Sequence, residues 1–75
     1  MRVRANGKLY DISLGDDGTM DTVICVSDYH GHTTEVRFDG EFASSYRRRD
    51  GSMTVSGLRA LGLEAIESLE EELSW

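Results

Sequence analysis

The stretch Arg2-Val3-Arg4-Ala5-Asn6-Gly7-Lys8-Leu9-Tyr10-Asp11-Ile12 carries the clearest turn signal in the chain. Asn-Gly favours a type I′ turn, because both central residues take positive φ and the turn matches the twist of antiparallel strands. A two-residue loop at Asn6-Gly7 sets Ala5 across from Lys8, Val3 from Tyr10 and Met1 from Ile12. Met1, Val3, Ala5, Tyr10, Ile12 and Leu14 then share one face. Arg2 meets Asp11 on the other face as a cross-strand ion pair. Turn chemistry and alternation agree, so the fold opens with a hairpin.

Further hairpins follow. Gly15-Asp16-Asp17-Gly18 reads as a polar loop. Thr22-Val23-Ile24-Cys25-Val26 is a β-branched run, and Thr33 to Phe38 alternates, so both read as strands. Between them lies Ser27-Asp28-Tyr29-His30-Gly31-His32. A tight turn at His30-Gly31 sets Cys25 across from Val36, Val23 from Phe38 and Tyr29 from His32. A four-residue loop shifts the register by two and keeps the same faces inward. Val23, Cys25, Val36 and Phe38 are therefore expected in the core. A third, weaker hairpin would join Tyr46–Arg49 to Ser52–Val55 through Asp50-Gly51, with Tyr46 facing Val55 and Arg48 facing Met53. Its Arg-rich arm reads equally well as loop.

The C-terminal segment has a helical period. Leu58, Leu61, Ala65, Ile66, Leu69 and Leu73 form one stripe with the glutamates mostly opposite, and Ser56 is the expected N-cap. Gly62 interrupts the stripe. It either admits a close helix–sheet approach or ends a short first turn, so that the main helix starts near Leu63. The expected architecture is α+β, a single domain over residues 1–75. An antiparallel meander of four to six strands fills residues 1–56, and one amphipathic helix over residues 57–73 packs across it.

Composition narrows the function. A chain of 75 residues supports one modest core. It has no apolar run long enough for a membrane, and its start, MRVRANGK, lacks the apolar stretch of a signal peptide. One cysteine forms no internal disulfide, which points to a reducing, cytoplasmic setting. The net charge of −6 opposes a general nucleic-acid binder, since phosphate neutralisation needs clustered Lys and Arg. The charge is uneven: residues 57–75 hold Arg59 against Glu64, Glu67, Glu70, Glu71 and Glu72.

Three clusters could carry chemistry. The first is the histidine loop. Cys25 and His30 lie about 16 Å apart along an extended chain, too far for a nucleophile–base pair. His30 and His32 with Asp28 could bind a metal, but Gly31 would splay the rings and no third His or second Cys exists. A hairpin tip is the simpler reading, with Tyr29 and His32 exposed to touch a partner; a pH-sensitive contact is the remaining alternative, since histidine as a residue type titrates near neutrality. The second cluster is Tyr46-Arg47-Arg48-Arg49, suited to phosphate contact and base stacking, or to an arm that pairs with the acidic helix. The third is Glu67, Glu70, Glu71 and Glu72 with Trp75. Negative charge at a helix C-terminus opposes the macrodipole, so these acids either solubilise the domain or present a negative surface with Trp75 as anchor.

No phosphate loop, nucleophile elbow or paired-cysteine zinc pattern is present, so neither an enzyme nor a cofactor is expected. The leading expectation is a small acidic protein-interaction module that inhibits or regulates a larger protein through its basic surface. A sharper form has it occupying the basic groove of a nucleic-acid-handling protein, as small phage-encoded inhibitors do. Two other classes remain: a nucleic-acid-binding module built on the Arg-rich hairpin, and a subunit that self-assembles through strand edges into a homodimer.

Overall fold

Asn6 and Gly7 take φ of 54° and 76°, the left-handed pair that a type I′ turn requires. They join β1 (Arg2–Ala5) to β2 (Lys8–Gly15) in the expected register, Ala5 across from Lys8 and Val3 from Tyr10. Arg2 does lie opposite Asp11, but the expected ion pair between them does not form: among the described residues the Asp11 carboxylate pairs instead with the N-terminal ammonium at 3.3 Å. The computed structural model describes residues 1–15 and 21–74, so most of the expected Gly15–Gly18 loop, and Trp75, lie outside the described residues.

The chain continues through β3 (Thr22–Ser27) and β4 (Thr33–Phe38). The four strands form one antiparallel sheet in the order β1-β2-β3-β4. The register between β3 and β4 departs from expectation by one residue. Ile24 faces Val36, Cys25 faces Glu35 and Thr22 faces Phe38. The loop is five residues long, Asp28 to His32, with Tyr29 at φ 66° and Gly31 at φ 91°. An odd loop length inverts one strand relative to the other. Val36 and Phe38 keep their inward places, while on β3 Thr22, Ile24 and Val26 now point inward and are buried. Cys25 turns outward and is half-exposed, against the expectation of a core thiol. Val23 also turns outward, yet it stays buried beside Gly15.

The third hairpin shrinks to a single bridge. Asp39 caps α1 (Gly40–Ala43), accepting from the Glu41 and Phe42 amides, and a 3₁₀ turn takes up Ser44–Tyr46. The bridge pairs Arg47, not Arg48, with Met53. The Gly51 amide donates to the Arg48 carbonyl at 3.0 Å, and Gly51 takes φ 89°. That is a type I turn followed by a left-handed glycine, a three-residue loop where two residues were expected.

Helix α2 (Val55–Leu73) starts two residues earlier than its expected boundary. Its cap is Thr54, whose Oγ1 accepts from the Gly57 amide at 2.9 Å; Ser56 falls inside the first turn. The helix runs unbroken through Gly62. A Cβ at Gly62 would collide with the Ile12 side chain, so glycine lets the helix axis close on β2. Leu61, Ala65, Ile66 and Leu69 meet Val3, Tyr10, Ile12, Ile24, Val26 and Phe38 in one core. Met1, Leu14 and Leu73, expected on the same apolar faces, lie at the ends of their elements and stay exposed.

Candidate acidic surface on helix α2

With the core side of α2 fixed by Leu61, Ala65, Ile66 and Leu69, positions 64, 67 and 71 fall together on the opposite side. At about 100° per residue they span an arc of roughly 60°. Glu64, Glu67 and Glu71 are all exposed, with exposed Leu63 on their flank. Arg59 is the only base on this helix. The result is one continuous acidic strip. Glu64 was missed as a site residue in the sequence, although its i, i+3 relation to Glu67 gives the signal.

The other two acids point elsewhere. Asn6 Nδ2 donates to the Glu70 carboxylate at 2.8 and 3.0 Å, and the Tyr10 hydroxyl donates to Glu70 Oε1 at 3.0 Å. Glu70 therefore ties the end of α2 to the first hairpin. Burial, the hydrogen bond to Glu70 and the nearby Glu70 charge together push the Tyr10 hydroxyl pKa up. Thr34 Oγ1 donates to Glu72 at 3.2 Å, a second tie from the helix end to β4. Of the four expected acids, Glu67 and Glu71 face solvent without a protein partner among the described residues. Trp75 lies outside those residues.

The Arg-rich segment is split in a similar way. Arg47 is half-buried; its guanidinium donates to the Gly51 carbonyl at 2.6 Å and to Thr22 Oγ1 at 2.9 Å, stitching the turn to β3. Tyr46 is half-buried, with its ring edge-on to Phe42 at 6.0 Å and its Cβ against Gly57. It offers no open stacking platform. Arg48 and Arg49 are exposed, beside an Asp50 whose carboxyl pKa the Ser52 hydroxyl and amide lower. This tip packs by way of Tyr46 and Thr54 against the start of α2. From there the helix runs about 27 Å to its acidic end. The arm and the acids sit at opposite ends, so the expected pairing between them does not form.

In the histidine loop, Asp28 is the organising residue. Its buried carboxylate accepts from the His30 amide at 2.8 Å and the His32 amide at 3.1 Å. The other oxygen lies 2.7 Å from His32 Nδ1. Burial by itself would raise this carboxyl, but those amide and ring hydrogen bonds, with the nearby His32 charge, outweigh it and pull the pKa down to about 2. Tyr29 is exposed, and it does not pair across the hairpin with His32, whose ring serves Asp28. Among the described residues no group of three metal-ligating side chains comes together.

The outward face of the sheet carries a shallow cavity of about 130 Å³ lined by Asp11, Ser13, Cys25, Ser27 and Glu35 among others. Burial and the Glu35 charge raise the Cys25 thiol pKa, so little of it is thiolate at neutral pH. The cavity is too small for most organic ligands. Comparison with protein families, characterised proteins and solved structures finds no match.

Proposed function

We propose that the protein is a non-enzymatic interaction module whose acidic α2 strip, Glu64, Glu67 and Glu71 with Leu63 beside it, binds a basic surface of a larger protein and thereby inhibits or regulates it. The observation that carries this reading is the geometry of the strip. Three carboxylates share one exposed arc with no side-chain partner among the described residues, while Glu70 and Glu72 are used to hold the helix. Acids that only solubilised the domain would not need to align. Complementary charge would speed encounter and fix orientation, and Leu63 would add apolar contact. A basic groove that normally receives nucleic acid is the partner chemistry such a strip fits best. A reducing, cytoplasmic setting goes with the single half-exposed thiol.

The test is affinity capture from the native host with the wild-type chain and with Glu64→Lys/Glu67→Lys/Glu71→Lys. The expected result is a basic-surfaced protein retained by the wild type and lost in the triple variant. Equal capture by both would refute the proposal. Glu70 stays unaltered in this design, because changing it would loosen the helix rather than the interface.

A further inference from the structure

We propose that two copies of this chain pair through β4, edge to edge and antiparallel about Val36, to form one eight-stranded sheet. The inference is independent of the α2 reading. Among the described residues, each edge strand leaves one set of backbone groups that no neighbouring strand pairs. Both β1 and β4 are edges of the sheet. The Asp28 amide donates to the His32 carbonyl at 3.1 Å, which makes that pair and every second pair beyond it hydrogen-bonded. Thr34, Val36 and Phe38 therefore direct their backbone groups to β3. Thr33, Glu35 and Arg37 direct theirs outward, to the side of β4 on which no further strand lies among the described residues.

Only outward-directed residues can exchange backbone hydrogen bonds across a new strand contact. With the two-fold axis at Val36, Glu35 of one copy lies across from Arg37 of the other, twice over. The side chains of each such pair share a face and carry opposite charge, the favourable arrangement. Arg37 also holds Asp21 at 3.7 Å, and the five N–H donors of a guanidinium let it serve more than one acceptor at a time. On the inner face Val36 meets Val36 of the second copy, and Phe38 meets Thr34. The half-exposed Phe42 ring, stacked on Phe38 at 6.3 Å, stands beside that junction.

The opposite edge behaves differently. The Ile12 amide donates to the Met1 carbonyl at 2.7 Å, so the alternation on β1 leaves Arg2 and Arg4 directed outward. Antiparallel self-pairing of β1 about Val3 sets Arg2 against Arg4 of the second copy, a repulsive contact. β1 is also only four residues long. It is a guarded edge, whereas β4, with the sequence TTEVRF, has neither lysine nor proline to block addition.

The experiment is the solution mass of the full chain by light scattering and sedimentation, from low to high micromolar protein. Four proteins are compared: wild type, Glu35→Arg, Arg37→Glu and the double swap Glu35→Arg/Arg37→Glu. Circular dichroism confirms that each is folded. The expected result is a wild-type dimer at twice the 8.4 kDa chain mass, monomers for both single variants and a dimer again for the double swap. A wild type that stays monomeric throughout overturns the proposal, as does a dimer indifferent to the single changes. A double swap that fails to restore the dimer overturns the register about Val36. Open-ended larger species would mean β1 adding to β4, and would overturn it as well.

Discussion

At the scale of single residues, carboxylates used as ties govern local stability. Asp28 closes a five-residue loop by accepting from two amides and one imidazole. Its folded pKa of about 2 lies below the ordinary 3.8, so the charged form is the one that folding favours. A lowered carboxyl pKa stabilises the fold above about pH 4, and that contribution disappears as pH falls toward 2. Thermal unfolding followed by circular dichroism should show Asp28→Asn melting well below wild type at neutral pH, with the gap closing on acidification. A gap that stays constant with pH would contradict the assignment. Glu70 is the second tie. Glu70→Ala should cost about 1 kcal/mol, since it removes hydrogen bonds from Asn6 and Tyr10. Glu71→Ala, which removes none, should leave the denaturant midpoint within error.

At the scale of elements, close approach of α2 to β2 depends on Gly62. Alanine is ordinarily the better helix former by about 1 kcal/mol. Here the added methyl meets Ile12, so Gly62→Ala should instead destabilise the fold by roughly 1–3 kcal/mol. Ile12→Val, which removes the Cδ1 nearest that methyl, should recover part of the loss. The helix cap gives a separate check. Thr54→Ala should cost about 1 kcal/mol, while Ser56→Ala should change little. Ser56 looked like the cap in the sequence because it directly precedes the apolar stripe. Thr54 is the cap because its Oγ1 accepts from the Gly57 amide, and Val55 and Ser56 then lie in an exposed first turn off the apolar stripe. A similar limit explains the β3 register. The first hairpin was legible because Asn-Gly fixes its loop at two residues. In Thr22–Val26 every residue suits a buried face, so alternation cannot say which side points inward, and the decision rested on a loop length that Asp28 sets through hydrogen bonds.

At the scale of the whole molecule, charge is laid out along α2. Arg48 and Arg49 mark the end where the helix begins, and Glu64, Glu67 and Glu71 form a strip along its outward side. Acidity of the C-terminal segment was legible from sequence, as was its helical period. The division of labour within it was not, because Glu70 and Glu67 look alike until Asn6, Tyr10 and Thr34 arrive from residues far off in the chain. The same holds for Arg47, whose partner Thr22 lies on another element. Long-range partners decide which charges are structural and which face outward. Binding of the outward set to a basic partner is tested most directly by the affinity for the captured partner across a salt series. Wild-type affinity is expected to fall steadily with salt, and to be lost, already at low salt, in Glu64→Lys/Glu67→Lys/Glu71→Lys. Affinity independent of salt, or unchanged in the triple variant, would contradict that binding.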